Sequence, residues 1–182
     1  LFDTSNFANC AANACDTNYM SVNSIAEDDD GAIIVIFNNR SNDKDISFFT
    51  KSYDLVNWSI PVTIFGDEYT TKVQAFIKME GRGFAAAVLS YQDYKTSILI
   101  SDDATEWQTI NAVPLVVASE LIYQDDILRL FYQSGLTIFE SNSSDLINFS
   151  SAKKVVKKSY IGFDALALDN GNFGVFYNLL LN

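Results

Sequence analysis

The stretch SYDLVNWSIP, residues 52–61, contains a short phrase that returns twice further along the chain. Similar phrases stand at residues 101–107, SDDATEW, and at residues 143–149, SSDLINF. In each copy a serine is followed two places on by an aspartate and six places on by a large aromatic residue. The residues concerned are Ser52, Asp54, Trp58, Ser101, Asp103, Trp107, Ser143, Asp145 and Phe149. Such a recurrence indicates a repeated structural unit.

Short runs of Val, Ile, Phe, Tyr and Leu fill the sequence between the phrases and are separated by Asp, Asn, Gly and Ser, while helical periodicity is nearly absent. This pattern is typical of strands joined by tight turns. The aromatic residues of the phrase lie 49 and then 42 residues apart, a spacing typical of propeller blades. We therefore predict an all-β chain: a β-propeller of four-stranded antiparallel blades, with about four blades in this chain.

Each unit carries a hairpin signal between its first two strands, where Asp, Asn and Gly tolerate the positive φ of a tight turn. The signals are DDDG at 28–31, MEGRG at 79–83, QDDI at 124–127 and DNGN at 169–172. The pattern predicts a single propeller domain over residues 1–182. Its blades are expected at about 20–66, 67–115, 116–157, and 158–182 together with 1–8; residues 57–64 are the predicted fourth strand of the first blade.

The N-terminal segment FDTSNF, residues 2–7, is similar to the end of the third phrase, because Asp3 and Phe7 stand four places apart, as Asp145 and Phe149 do. We expect it to supply the outermost strand of the last blade, which closes a ring without a free sheet edge. The alternative is a piece of a five- or six-bladed propeller. A chain that opens Leu-Phe-Asp rather than with Met favours a mature or excised piece.

The composition limits the possible partners. Twelve Lys and Arg against twenty-three Asp and Glu give a net charge of −11, which repels nucleic acid and anionic lipid surfaces. No apolar run approaches the roughly 20 residues that span a bilayer, so no direct membrane insertion is expected.

The cysteines and the Asn-x-Ser sequons bear on location. Cys10 and Cys15 are separated by four residues, which permits a small disulfide loop or two free thiols. Sequons at Asn39, Asn57, Asn142 and Asn148 suit a secreted protein. We expect an extracellular or cell-surface location.

The repeated phrase resembles the Asp-box of sialidase-type propellers (BNR repeats). Its SxDLxNW form at residues 52–58 is even more similar to the turns of the five-bladed glycosidases, the arabinanase, xylosidase and invertase group. It departs from the sialidase box by lacking the central Gly and the Thr before Trp, and by being one residue shorter. In those families the box joins strands three and four on the face away from the active site. The resemblance therefore implies shape, with Ser and Asp accepting turn hydrogen bonds and the aromatic packing against the next blade.

A likeness to sialidases implies three arginines that converge on a substrate carboxylate. The chain has three, Arg40, Arg82 and Arg129, but they follow a second strand, occupy a hairpin and lie inside a strand, respectively. We do not expect them to meet.

A likeness to the five-bladed glycosidases implies two carboxylates on innermost strands, one as acid and one as base. Alignment on the hairpins makes Ser24, Gln74, Ser119 and Asp164 the equivalent inner positions, of which only Asp164 is acidic. Glu120 is the next candidate, but it is one residue out of phase. Strand alternation then predicts that Glu120 is a solvated strand end pointing to the opposite side.

The Asp28–Asp30 run raises the possibility of a calcium site, because Ca²⁺ favours clustered oxygen ligands. Consecutive residues cannot all point at one ion, so a solvated turn is the favoured interpretation. We expect no cofactor and no metal, with Ca²⁺ at Asp28 and Asp30 as the alternative.

Loops on the face opposite the phrase combine tyrosines with polar residues, a set suited to stacking on sugars or gripping a protein loop. The ligand-binding candidates are Arg40, Asp43, Tyr69, Tyr91, Tyr94 and Tyr160. The expected function is a non-catalytic recognition or adhesion propeller for a glycan or an extracellular protein. The alternatives are a diverged or truncated glycoside hydrolase that uses Asp164 and Glu120, and a structural component of an extracellular assembly.

Overall fold

The computed structural model describes residues 20–41, 44–64, 71–92, 95–114, 118–157, 159–169 and 171–179. Within these ranges the regular structure is entirely strand. The first sheet contains β1 (Met20–Glu27), β2 (Ile33–Ser41), β3 (Lys44–Ser52) and β4 (Val62–Thr63), and the second contains β5 (Thr71–Lys78), β6 (Phe84–Ser90), β7 (Lys95–Ser101) and β8 (Gln108–Pro114). The third contains β9 (Ala118–Gln124), β10 (Ile127–Ser134), β11 (Thr137–Ser143) and β12 (Lys153–Lys157), and the fourth contains β13 (Ser159–Ala167) and β14 (Phe173–Leu179).

All neighbouring strands pair antiparallel, and within each sheet the strands follow chain order. The first strands of the four sheets are neighbours in space: β1 contacts β5, β5 contacts β9, and β9 contacts β13. This is the arrangement of propeller blades around an axis, with the first strand of each blade innermost. The predicted all-β propeller-like fold is confirmed. Residues 1–8, with the predicted ring closure, and Cys10 and Cys15 lie outside the described residues.

Two apolar clusters hold the sheets together. One lies between the first and second sheets and includes Ile36, Phe49 and Phe76. The other lies between the second and third sheets and includes Leu121 and Leu130. Strand β6 contributes side chains to both clusters, because Ala86 faces the first sheet while Ala85 and Ala87 face the third. A central strand covered on both faces is expected to be continuously apolar.

The fourth strand of the first sheet is much shorter than predicted. Residues 57–64 were expected to form it, whereas β4 contains only Val62 and Thr63. Pro61 has no N–H to donate to a ladder. The residues before Pro61 are connected to β3 by hydrogen bonds outside the regular ladder. Ser59 N donates to Lys51 O at 2.9 Å, and Thr50 Oγ1 donates to Ser59 O at 2.7 Å.

Bulges on the innermost strands connect the sheets through side chains. The register of β1 shifts at Asn23, and the register of β5 shifts at Gln74, so each is the extra residue of a bulge. Asn23 Nδ2 donates to Val73 O at 2.9 Å, and Gln74 Oε1 accepts from Ser119 Oγ at 2.7 Å. Each bulged amide therefore reaches the innermost strand of the next sheet, a contact that the sequence did not predict.

The described residues contain no helix long and apolar enough to cross a membrane.

Candidate functional site

The three repeated phrases form three similar turns. In the first, Asp54 Oδ1 accepts hydrogen bonds from Val56 N at 2.9 Å and Asn57 N at 2.7 Å, and Oδ2 accepts from Asn57 Nδ2 at 2.7 Å. Ser52 Oγ donates to Asp54 Oδ1 at 3.1 Å. The carboxylate thus satisfies N–H groups that the turn leaves unpaired, which is a structural role.

The other two turns repeat this pattern. Asp103 accepts from Thr105 N at 2.8 Å and from Ser101 Oγ at 3.3 Å. Asp145 Oδ1 accepts from Ile147 N at 2.9 Å and from Asn148 N at 2.8 Å, with Ser143 Oγ donating at 2.9 Å. Trp107 packs against the cluster between the first two sheets, and Phe149 packs against the next cluster. Trp58 is half-buried.

The three turns share a fourth structural position, the residue after the aspartate, which was not predicted from the sequence. Leu55, Ala104 and Leu146 follow the aspartates and have φ of 61°, 63° and 61°, a conformation that is strained for residues other than glycine. Ala104 and Leu146 are 0% and 8% exposed and pack against the preceding sheet, whereas Leu55 is 63% exposed. Neither residue type signals positive φ, so only the repeat itself could have identified this position.

Acidification should destabilise the protein through these turns. Hydrogen bonds from Asn148 N, Asn148 Nδ2 and Ile147 N hold the pKa of Asp145 well below its usual value. A carboxyl group with a lowered pKa in the folded state adds stability above its unfolded pKa of about 3.9 and loses it as the pH falls. We expect Asp145→Asn to lower the melting temperature at pH 7, and we expect its difference from the wild type to shrink steadily as the pH falls below about 4.

Thermal unfolding followed by circular dichroism across this pH range tests the expectation. Asp169→Asn, at an exposed hairpin position, is the matched control and should follow the wild-type curve at every pH. A constant difference between Asp145→Asn and the wild type at all pH values would contradict the assigned role of the carboxylate.

On the innermost strands, the structure corrects the predicted phase of Glu120. Gln124 pairs with Ile127 across a two-residue turn, Asp125–Asp126. Leu168 instead pairs with Asn172 across a longer turn, with Leu168 N donating to Asn172 O at 2.9 Å. Since Gln124 Nε2 donates to Leu168 O at 2.9 Å, these two residues stand at the same level.

Counting back four residues from Gln124 and Leu168 reaches Glu120 and Asp164, so these two carboxylates occupy equivalent positions on adjacent innermost strands. The expectation that Glu120 is out of phase with Asp164 is wrong. That expectation assumed hairpin turns of equal length, whereas the turn of the third hairpin is shorter. The corresponding residue of the second sheet is Ala75, which packs toward the third sheet, and that of the first sheet is Ser24.

The environment of Glu120 is also not that of a solvated strand end. Its side chain lies on the face of the third sheet that meets the fourth, because it shares this face with Phe131, its cross-strand partner, whose ring contacts Phe173 at 4.9 Å. Burial, and secondly the negative charge of Asp164, raise the pKa of Glu120 to about 7. Asp164 is exposed. Near neutral pH the pair can therefore offer both a proton donor and an acceptor.

A buried ion pair lies on the same face as Glu120. Arg129 Nη1 donates to Glu140 Oε1 at 2.8 Å, and the Arg129 guanidinium stacks over the Phe173 ring at 5.6 Å. Arg82 lies in the hairpin of the second sheet, 3.9 Å from Asp126. These two arginines therefore do not share a pocket.

The other predicted binding residues are only partly described. Tyr91 is half-buried in the turn between β6 and β7. Arg40 and Tyr160 fall on β2 and β13, with side chains outside the described part, and Asp43, Tyr69 and Tyr94 lie outside the described residues.

The aspartates predicted as an alternative calcium site are engaged in other contacts. Asp28 Oδ1 accepts from Asp30 N at 3.0 Å and from Ala32 N at 2.8 Å, and Asp29 pairs with Lys78 Nζ at 2.6 Å. Among the described residues, no group of three or more His, Cys, Asp or Glu side chains is arranged to hold a metal ion.

Comparisons with known proteins gave a distant structural likeness. No family model and no curated protein sequence matches the chain. The structure is similar to the crystal structure of a candidate glycosidase from Bacteroides thetaiotaomicron VPI-5482, with 12% sequence identity and a TM-score of 0.46. The match covers 88% of this chain and 58% of that protein, so the chain spans less than two thirds of its length.

Proposed function

We propose that this propeller-like protein binds a carbohydrate at the innermost strands of its third and fourth sheets, and that it does so outside the cell. The observation that carries the proposal is the placement of Glu120 and Asp164 at equivalent positions on adjacent innermost strands. Carboxyl groups pair well with sugar hydroxyls, because an ionised carboxylate accepts hydrogen bonds and a protonated one also donates. The pKa of Glu120, raised to about 7, makes both forms accessible near neutral pH.

The rest of the described surface supports this assignment. The loops between second and third strands gather at the end of the strands opposite the Ser-Asp-aromatic turns. Those loops include the half-buried Tyr91, and tyrosines are suited to stacking on sugar rings. The net charge of −11 disfavours nucleic acid as a partner. Two of the sequons, Asn57 and Asn148, stand at exposed turn positions, which supports an extracellular location.

We also propose that the three turns are Asp-boxes that have lost the central glycine. The common hydrogen-bond pattern of Asp54, Asp103 and Asp145, with a serine two places before each, supports this relationship.

A second candidate function is inverting glycoside hydrolysis, favoured by the raised pKa of Glu120. In that reaction a protonated carboxyl group donates to the leaving oxygen, while a carboxylate about 6.5–9.5 Å away activates water. Packed sheets lie about 10 Å apart, so equivalent positions on neighbouring sheets favour this spacing over the about 5 Å of a retaining pair. Glu120 would serve as the acid and Asp164 as the base.

A glycan array followed by a panel of chromogenic glycosides tests both functions. For the binding function, we expect saturable glycan binding that Glu120→Gln and Asp164→Asn each weaken at least about tenfold, which corresponds to about 1.4 kcal/mol. Asp169→Asn, in the turn of the fourth sheet's hairpin, is the matched control and should bind like the wild type.

Turnover by the wild type that falls about 10²–10⁴-fold in Glu120→Gln would support the hydrolase instead. Absence of both binding and turnover would contradict both functions and favour a structural role in an extracellular assembly.

A further inference from the structure

The outer face of the fourth sheet combines a carboxylate with an exposed aromatic ring. Asp164 on β13 is the direct cross-strand partner of Phe176 on β14. Their side chains share the face that turns away from the third sheet, since Phe173, on the opposite face of β14, contacts Phe131. Phe176 is 59% exposed, and Leu166, next along the same face of β13, is 39% exposed. Directly paired residues place their Cβ atoms about 4.5–5.5 Å apart, so the carboxylate lies beside the ring.

Arg129, which lies near this surface, already has partners. Arg129 forms its ion pair with Glu140 and stacks over Phe173 on the inner side of the fourth sheet. Within the described residues, neither Glu120 nor Asp164 forms a salt bridge with a Lys or Arg side chain. The surface is therefore acidic and aromatic.

This combination matches a cationic ligand. A carboxylate attracts an ammonium group by charge, and the face of an aromatic ring attracts the same group through its quadrupole. An anionic sugar such as a sialic or uronic acid would meet repulsion from the Asp164 carboxylate. A neutral sugar would gain hydrogen bonds alone.

We propose that Asp164 and Phe176 form a subsite for the protonated amine of an amino sugar. The proposal rests on the carbohydrate-binding function and narrows its ligand to sugars with a free amino group. Asp164 and Phe176 contact the ammonium group.

Calorimetric titration with a glucosamine tetramer, an N-acetylglucosamine tetramer and a sialylated oligosaccharide tests this subsite. The two tetramers share a backbone and differ in the charge of the amino group. We expect the wild type to bind the glucosamine tetramer at least tenfold more tightly than the acetylated one, and to bind the sialylated sugar most weakly.

Variants separate charge recognition from general damage. Asp164→Asn should bring the ratio between the two tetramers close to one while the acetylated tetramer keeps nearly its wild-type affinity. Phe176→Ala should weaken both tetramers. Leu166→Ala, on the same exposed face, is the control and should preserve the ratio.

The possible failures are distinguishable. Equal affinity for the two tetramers, or tightest binding of the sialylated sugar, would overturn the amine subsite and leave carbohydrate binding intact. A preference that survives Asp164→Asn would also overturn it. If none of the three sugars binds and the glycan array is also negative, the proposed carbohydrate-binding function itself fails.

Discussion

Replacing Gly83 with alanine should destabilise the protein by roughly 2–5 kcal/mol, because the new methyl group meets backbone that cannot move aside. A Cβ at this position would lie 2.2 Å from Ser101 O and 2.7 Å from Asp102 Cα, and the residue has φ of +75°. The backbone of Gly83 therefore packs directly on the start of the second Ser-Asp-aromatic turn. Gly83 O also accepts from Met79 N at 2.7 Å, which closes the hairpin.

Gly81→Ala provides the matched control, since Gly81 lies in the same hairpin with φ of +68° and a Cβ there would meet nothing within 4 Å. It should lose only about 1–2 kcal/mol from the backbone conformation. Urea unfolding followed by the fluorescence of Trp58 and Trp107 measures both variants. Equal losses in the two variants would show that the contact between Gly83 and the turn is unimportant.

Replacing Glu140 with leucine should cost about 3 kcal/mol, because the Arg129 charge is then left without its partner. The Arg129 and Glu140 side chains are only 19% and 9% exposed. Arg129 Nε is buried with no hydrogen-bond partner, so the guanidinium depends heavily on Glu140. The loss should be largest at low salt concentration, but it should persist in salt because a buried pair is poorly screened.

The double variant Arg129→Met, Glu140→Leu tests the cause. Replacing both partners with apolar side chains removes the unpaired charge, so the double variant should recover most of the lost stability. Urea unfolding of the wild type, the two single variants and the double variant gives the coupling between the residues. Additive losses would mean that Glu140 stabilises the sheet through packing instead of through Arg129.

Much of the fold could be predicted because its signals are local. The tight hairpins coincide with Gly31, Gly81, Gly171 and the Asp125–Asp126 pair, all with positive φ, and these residue types tolerate that conformation through their own chemistry. The short β4 was missed because Pro61 interrupts an otherwise strand-like run. The sequence suggested a full strand, whereas the bonds of Ser59 to β3 replace the ladder there.

The candidate site was harder to predict because strand phase depends on turn length. Glu120 and Asp164 were recognised as carboxylates of interest, but an error of one residue in aligning the hairpins reversed the predicted side of Glu120. The shared outer face of Asp164 and Phe176 was also missed, because it depends on the register between β13 and β14.

The repeat, the all-β architecture and the three Ser-Asp-aromatic turns could be recognised from local sequence, because each depends on residues within a few places of one another. The placement of Glu120 and Asp164 at equivalent positions on neighbouring innermost strands depends on packing between sheets, and so do the bulges at which Asn23 and Gln74 bond the next sheet. Side-chain direction alternates with every residue of a strand, so one extra or missing residue in a bulge or turn reverses it. Packing between sheets selects the phase, and the residues that pack are far apart in the chain.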